Sequence, residues 1–128
     1  MSSFSLCPCG RETAYADCCG AIHSGARQAI TAEDLMRSRY SAFAIGKAAY
    51  LLHSWSPGSR PETPRLSEDR TWTGLTIQET TGGGPFDQTG TVRFRARYDT
   101  SSGSGVLAEK SLFGRTNGRW VYVGPAPD

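Results

Sequence analysis

The chain has 128 residues, of which 38% are hydrophobic and 10% aromatic, and this size and composition suit one domain with a modest core. Fourteen basic and twelve acidic residues give a net charge of +2, too small an excess to indicate a nucleic-acid-binding or anionic-membrane-binding protein. No segment approaches the roughly eighteen apolar residues of a membrane-spanning helix, and the N-terminus lacks the pattern of a secretory signal. We therefore expect a cytoplasmic protein.

All four cysteines lie within residues 7–19, and the rest of the chain has none. Disulfide frameworks spread their cysteines along the chain and belong to oxidising compartments. Neither the alternate pair, Cys7 and Cys9, nor the adjacent pair, Cys18 and Cys19, has the backbone geometry that a disulfide between its members requires. A tight cluster in a cytoplasmic chain instead predicts a metal site.

The two cysteine pairs are separated by eight residues, so each pair can supply one edge of a tetrahedron of thiolates around zinc. Four thiolates leave no open position for water, and we therefore expect one structural zinc ion that supplies folding free energy to a segment of about twenty residues. His23 is an alternative ligand, although a surface or packing role is the preferred interpretation. The four cysteines could also be buried free thiols, redox-active thiols or the ligands of an iron–sulfur cluster. Phe4 and Tyr15 are expected to pack around the metal.

The next segment predicts two helices. Thr31 is a favourable N-cap, Glu33 and Asp34 place negative charge in the first turn, and Gly46 is suited to the C-terminal cap. A second, short helix is predicted over residues 48–54. The apolar side chains of the first helix recur at helical spacing; they are Leu35, Met36, Tyr40, Phe43 and Ala44.

Residues 56–67 contain three prolines and predict a loop. Four extended segments follow, at about residues 70–80, 89–100, 105–115 and 119–124, with turn residues between them. Helices followed by consecutive hairpins predict an α+β fold, with the helices on one face of an antiparallel sheet of about four strands. In the second strand the apolar side chains should face one way and the arginines the other; the two sets are Val92, Phe94, Ala96 and Tyr98, and Arg93, Arg95 and Arg97.

Cysteine spacing and neighbouring residues resemble the SEC-C motif, a small zinc-binding knuckle of the form C-x-C-G-S-G-K-K-Y-x-x-C-C-G. The matching residues are Cys7, Cys9, Gly10, Tyr15, Cys18, Cys19 and Gly20.

The rest of the chain resembles the YchJ-like family of bacterial SEC-C proteins. That resemblance implies a cone-shaped domain like nuclear transport factor 2 behind the zinc knuckle. We therefore expect a knuckle of residues 1–25 and a cone of residues 26–128, in a family without a firmly established biochemical function. The matching segments are Thr31–Phe43, Trp72–Leu75, Phe94–Tyr98, Glu109–Phe113 and Gly118–Tyr122.

The knuckle departs from the motif in its charge. In the translocation motor SecA, the basic knuckle engages the chaperone SecB and acidic lipid. Here Arg11 is the one basic residue that remains between the cysteine pairs, and Glu12 and Asp17 add negative charge. The zinc ligands are expected to carry over, whereas the partner of the basic knuckle is not.

Two further sets of side chains are candidate sites. The stripe of Arg93, Arg95 and Arg97 is a candidate anion-binding surface, although a solvated outer face of the sheet is the preferred interpretation. Cones of the resembled class often enclose a pocket between helix and sheet. Its candidate polar lining residues are Tyr40, His53, Tyr98, Glu109 and Ser111. Core packing is the preferred interpretation of Tyr40 and Tyr98, and an exposed or capping position near a helix end is the preferred interpretation of His53.

No catalytic residues are predicted, because no Asp–His pair occurs at a suggestive spacing. The leading hypothesis is a non-enzymatic zinc-binding adaptor in which the knuckle recognises a protein partner of unknown identity. A second hypothesis is a small-molecule-binding or enzymatic cone, which would require an enclosed pocket with converging polar groups. A third is a weak nucleic-acid binder that uses the arginine stripe.

Overall fold

A computed structural model describes residues 6–62 and 70–127. Three helices precede a four-stranded antiparallel meander in the order β1-β2-β3-β4, so the predicted α+β architecture is confirmed. The predicted loop over residues 56–67 falls within the described residues only as far as residue 62. The elements are a 3-10 turn at Tyr15–Asp17, α1 at Cys19–His23, α2 at Ala32–Ile45, α3 at Ala48–His53, β1 at Thr71–Gly82, β2 at Gly90–Thr100, β3 at Gly103–Thr116 and β4 at Arg119–Pro125.

Both ends of α2 are fixed by the residues that predicted them. The Thr31 Oγ1 accepts a hydrogen bond from the backbone N–H of Asp34 at 3.0 Å. The Asp34 carboxylate in turn accepts one from the backbone N–H of Ile30 at 3.2 Å, so two donors at the start of the helix are satisfied. At the other end Gly46 has a φ of 82°, the left-handed conformation that ends many helices.

The Asn117-Gly118 turn is formed as predicted, with positive φ values at both residues. The turn between β2 and β3 is tighter than the sequence indicated. Strand β3 begins at Gly103, because Gly103 pairs directly with Thr100 across a two-residue turn. The hydroxyl of Thr100 also donates to the carbonyl of Gly103 at 2.9 Å.

One face of the sheet packs on α2 and forms the core. The predicted apolar face of β2 points to this core, with Val92, Phe94 and Ala96 buried and Tyr98 half-buried, and the arginines of that strand lie on the outer face. No helix in the described parts of the chain is both long and apolar enough to cross a membrane. The buried residues of the core are Ala32, Leu35, Met36, Tyr40, Val92, Phe94, Ala96, Phe113 and Trp120.

The β4 edge of the sheet is covered by the segment that follows α3. The backbone N–H of Tyr122 donates to the Ser54 carbonyl at 2.8 Å, and the backbone N–H of Ser56 donates to the Tyr122 carbonyl at 2.7 Å. These bonds satisfy polar groups that an open edge strand would expose. They also hold Trp55 beside Tyr122. The two rings pack edge to face, with their centroids 5.4 Å apart.

Candidate metal centre and neighbouring sites

The four thiols converge in one buried cluster. The sulfur atoms of Cys7, Cys9, Cys18 and Cys19 all lie within 4.8 Å of one another, and each residue is at most 4% exposed. None of them forms a disulfide. The Sγ atoms of Cys9 and Cys18 are 3.7 Å apart. Thiolates at about 2.3 Å from a tetrahedral ion would be about 3.8 Å apart, so the cluster fits a four-thiolate metal site.

The backbone of the knuckle folds so that both cysteine pairs point inward. The backbone N–H of Cys7 donates to the Thr13 carbonyl at 2.8 Å, which closes the loop between the pairs. Gly20 follows the second pair, and a Cβ at this position would lie 2.7 Å from the Tyr15 carbonyl oxygen and 2.8 Å from its ring. The glycine of the motif is therefore required by the close approach of Tyr15. Tyr15 packs against the cysteines as expected, and Phe4 lies outside the described residues.

The thiols of the cluster compete for negative charge. Hydrogen bonds, above all from the Cys19 thiol, lower the pKa of Cys9 to about 5. The same interaction, followed by burial, raises the pKa of Cys19. Burial is also the main cause that raises the pKa of Cys18. The cluster can hold one thiolate by hydrogen bonding alone, whereas four buried thiolates need a cation among them.

His23 connects the knuckle to α2 and does not join the sulfur cluster. Its Nε2 lies 2.8 Å from the Ser38 carbonyl oxygen, and its Nδ1 lies 2.7 Å from the Tyr15 hydroxyl. Burial lowers the pKa of His23 and favours the neutral ring. Because a carbonyl can only accept, Nε2 carries the proton and Nδ1 accepts from the hydroxyl. Both ring nitrogens therefore form hydrogen bonds within the protein. His23 thus has a packing role in this structure, which was the preferred interpretation of the sequence.

Two arginines hold the knuckle against α2. The Arg11 Nη2 lies 2.8 Å from the Asp34 carboxylate. The Arg37 Nη1 donates to the Cys9 carbonyl at 2.7 Å, while its Nε pairs with Glu33 at 2.9 Å. These bonds cross the boundary that the sequence places between residues 25 and 26, and that division remains a prediction. The spacing of Glu33 and Arg37 signals an ion pair along α2, but only the fold reveals the bond to Cys9.

Comparison with known proteins agrees with this geometry. A family model for the middle, nuclear transport factor 2-like domain of YchJ matches residues 31–125, and a model of the SEC-C motif matches residues 5–21. The chain belongs to the YchJ-like family. A UPF0225 protein of Corynebacterium glutamicum is 52% identical over 116 residues, which cover 91% of this chain and 92% of that protein. A UPF0225 protein of Streptomyces coelicolor is 51% identical over 117 residues, with 91% of each chain covered.

Two solved structures share the fold of this YchJ-like chain. The solution structure of a SEC-C motif-containing protein from Rhodopseudomonas palustris has a TM-score of 0.84 and 30% identity, and the match covers 97% of this chain and 100% of that one. The crystal structure of a SEC-C motif-containing protein from Psychrobacter arcticus has a TM-score of 0.77 and 26% identity, with coverages of 98% and 82%. The expectation of a SEC-C knuckle in front of a nuclear transport factor 2-like domain is confirmed.

The candidate pocket residues of the YchJ-like cone do not all converge on one cavity. Tyr40 is buried in the core, where the centroids of its ring and the Trp72 ring are 6.0 Å apart. Tyr98 also packs against Trp72, with the two ring centroids 5.3 Å apart. His53 is exposed at the end of α3, in a different cavity. Glu109 and Ser111 alone of the candidates line a cavity between α2 and the sheet.

That cavity, called here the Arg39 cavity, has a volume of about 140 Å³. Ser111 and Tyr122 donate hydrogen bonds to the Glu109 Oε2 at 2.6 and 2.8 Å. Burial and, after it, Glu109 raise the pKa of Tyr122, which keeps the hydroxyl protonated as a donor. The apolar residues that line the Arg39 cavity are Met36, Phe43, Trp55, Phe94 and Leu107.

Arg39 is the unexpected member of this cavity. It is only 4% exposed, and its guanidinium lies between the rings of Trp55 and Tyr122, at 4.7 and 4.5 Å from their centroids. Its Nη1 donates to the Leu51 carbonyl at 3.1 Å and to the Ser54 hydroxyl at 2.7 Å. Burial lowers the pKa of Arg39 to about 10, so it remains a cation near pH 7. The available signal was its position on the apolar face of α2, between Met36 and Phe43.

The arginine stripe lies on the outer face of the sheet. Because of the β1–β2 register, Arg93 lies opposite Glu79 and pairs with it at 3.9 Å. The Arg97 Nη1 donates to the Thr76 hydroxyl at 3.0 Å, and Arg95 is exposed. A neighbouring strand therefore engages part of the stripe, and anion binding there remains a prediction.

Proposed function

We propose that this YchJ-like chain is a non-enzymatic binding module whose knuckle is shaped by one structural zinc ion. The observation that supports this proposal is the closed cluster of four buried sulfurs. Zinc is favoured because it takes four thiolates in a tetrahedron and shows no redox chemistry. An ion with four sulfur ligands has no position left for water or substrate, so its contribution is to the shape and stability of the knuckle.

The proposed recognition surface is the exposed part of the knuckle. Arg11, the basic residue between the cysteine pairs, is engaged by Asp34. The exposed residues of the knuckle include the acidic Glu12 and Asp17 and the apolar Leu6, which is 55% exposed. We infer a protein partner with a basic rim around an apolar contact, because opposite charges favour association and suppress like-charged competitors.

A charge-reversal experiment tests this docking surface without touching the metal ligands. We expect metal-loaded protein to capture a partner from cells of the source organism, and the Glu12→Lys, Asp17→Lys variant to bind that partner at least about tenfold more weakly, a loss of about 1.4 kcal/mol. The matched control is Glu62→Lys, Glu79→Lys, which makes the same charge change on the cone. Elemental analysis should find one zinc per chain in all three proteins. Equal partner affinity in the two variants would contradict a knuckle-based interface.

A second candidate function is supported by the Arg39 cavity. A buried guanidinium and a carboxylate at the wall of an otherwise apolar space are typical of sites that bind a small ligand by its polar end. We infer a ligand with an apolar body and a hydrogen-bond donor that reaches the Glu109 carboxylate. Ligand binding in the cavity and partner docking on the knuckle use different surfaces. Both functions are compatible with each other and with the structural zinc.

Native mass spectrometry of protein purified without denaturation tests the cavity. We expect a bound small molecule in the wild-type chain, and its loss in Leu107→Trp, which fills the cavity. Val106→Trp is the matched control, because Val106 is the neighbouring residue and is similarly exposed, at 44% against 41%, but does not line the cavity. A ligand-free wild-type protein, or equal retention in both variants, would overturn the assignment.

A further inference from the structure

A second cavity, of about 130 Å³, lies where the end of the knuckle meets α3 and the start of β4. We call it the Arg27–Arg119 cavity after the two arginines in its wall. His53 and Gln28 also line it, and no aspartate or glutamate does so among the described residues. Because one water molecule takes up about 30 Å³ of liquid, the space suits a small polyatomic group.

Both guanidinium groups are held in place by the main chain. The Arg27 Nη2 donates to the Cys18 carbonyl at 3.2 Å, and the Arg119 Nη1 donates to the His53 carbonyl at 2.8 Å. A guanidinium has five N–H donors, so each side chain keeps donors for a ligand after making this bond. An anchored side chain also loses less conformational entropy when a ligand binds.

The positive charge at this cavity is not neutralised by a carboxylate of the described residues. Among residues 6–62 and 70–127, no carboxylate oxygen lies within 4 Å of the guanidinium of Arg27, Arg60 or Arg119. Arg60 lies nearby, because its Nη2 donates to the carbonyl of Trp55, two residues after His53, at 3.0 Å. In contrast, Arg11 and Arg37 each have a carboxylate partner.

We propose that the Arg27–Arg119 cavity binds the phosphoryl group of a small molecule. Two guanidinium groups can each donate paired hydrogen bonds to the oxygens of a phosphoryl group, and its double negative charge matches two cations. A carboxylate would balance only one of them. The apolar walls formed by Ile22, Leu35 and Trp120 make the site a recess. A recess accommodates a terminal phosphoryl group better than the continuous backbone of a nucleic acid.

This site lies apart from the Arg39 cavity and is independent of the proposed partner surface. It does depend on the knuckle, because the carbonyl that holds Arg27 belongs to Cys18, a member of the sulfur cluster. We therefore expect the metal-loaded chain to bind phosphate more tightly than the metal-free chain.

The test is a titration of metal-loaded, ¹⁵N-labelled protein with inorganic phosphate at constant ionic strength, followed by amide chemical shifts. We expect saturable shifts centred on Arg27, Gln28, Arg119 and Trp120. Parallel titrations use glycerol phosphate, to separate a phosphomonoester from free phosphate, and acetate, which should give no saturable shifts at these amides. No saturable shift with either phosphate up to about 20 mM, where a site with a Kd of about 1 mM is nearly saturated, would overturn the proposal.

Charge-removing variants then locate the binding. Arg119→Gln should raise the phosphate Kd at least about tenfold, and Arg119→Lys, which keeps the charge without the paired donors, should give a smaller loss. Arg95→Gln removes the same charge from the arginine stripe and tests whether the stripe binds the anion instead. An equal loss in Arg95→Gln and Arg119→Gln would show that general charge, not the cavity, attracts phosphate. The wild-type titration decides the question even if an Arg119 variant fails to fold.

Discussion

Removal of the metal is expected to lower the free energy of unfolding by at least about 3 kcal/mol, and with it the melting temperature by roughly 10 °C. The physical reason is that the cysteine cluster is the buried centre of the knuckle, and in the metal-free state its four sulfurs cannot all carry charge. Calorimetry of metal-loaded, chelator-treated and zinc-restored protein measures the change. Elemental analysis of the loaded protein should give one zinc per chain.

Cys9→Ser provides the control for this experiment. The Cys9 residue is fully buried, so a serine there leaves a weaker ligand set at the same place. We expect the variant to melt near the temperature of the chelated wild type, and the chelator to have no further effect on it. Two outcomes would contradict a structural metal: a chelated wild type that melts like the loaded protein, or a Cys9→Ser variant that keeps tightly bound zinc.

The features that sequence reasoning predicted correctly are local in the chain. Thr31 and Gly46 mark the ends of α2 because caps act within one helical turn, and Asn117-Gly118 fixes its hairpin because only two residues form the turn. The cysteine cluster belongs to the same class, since its two pairs lie within one short loop. In each case the residues that make the interaction are neighbours in sequence.

The features that sequence reasoning missed depend on how distant segments meet. Arg37 bonds to the Cys9 carbonyl only because the knuckle lies on α2, and no spacing within either segment encodes that contact. Glu109 and Ser111 line one cavity together with Arg39 of α2, and nothing in the sequence of β3 indicates that partner. Arg39 was readable as a charge within an apolar helix face, but its position between two rings follows from the path of residues 54–56 along β4.

Trp120→Ala is expected to lower the free energy of unfolding of the metal-loaded chain by about 3–5 kcal/mol. Trp120 is 2% exposed, packs in the main core, and lies beneath the guanidinium of Arg115 at 4.2 Å. Its Nε1 also donates to the Ile30 carbonyl at 3.0 Å, so the substitution leaves both a void and an acceptor without its donor. Phe86→Ala is the control, because Phe86 is 95% exposed and its loss should change stability by less than about 0.5 kcal/mol. Denaturant titrations of both variants give the two values, and similar losses would contradict this view of the core.

The same substitution also tests whether the knuckle and the cone unfold together. Zinc release, followed with a coloured indicator, reports the knuckle, and tryptophan fluorescence reports the cone. The contacts that join the two parts include those from Arg11 to Asp34, from Arg37 to the Cys9 carbonyl and from His23 to the Ser38 carbonyl. We therefore expect one transition by both probes in the wild type, and an equal shift of both midpoints in Trp120→Ala. A midpoint of zinc release that does not move, while fluorescence shifts, would show that residues 1–25 and 26–128 fold as independent units and that the arginine contacts add little free energy to the interface.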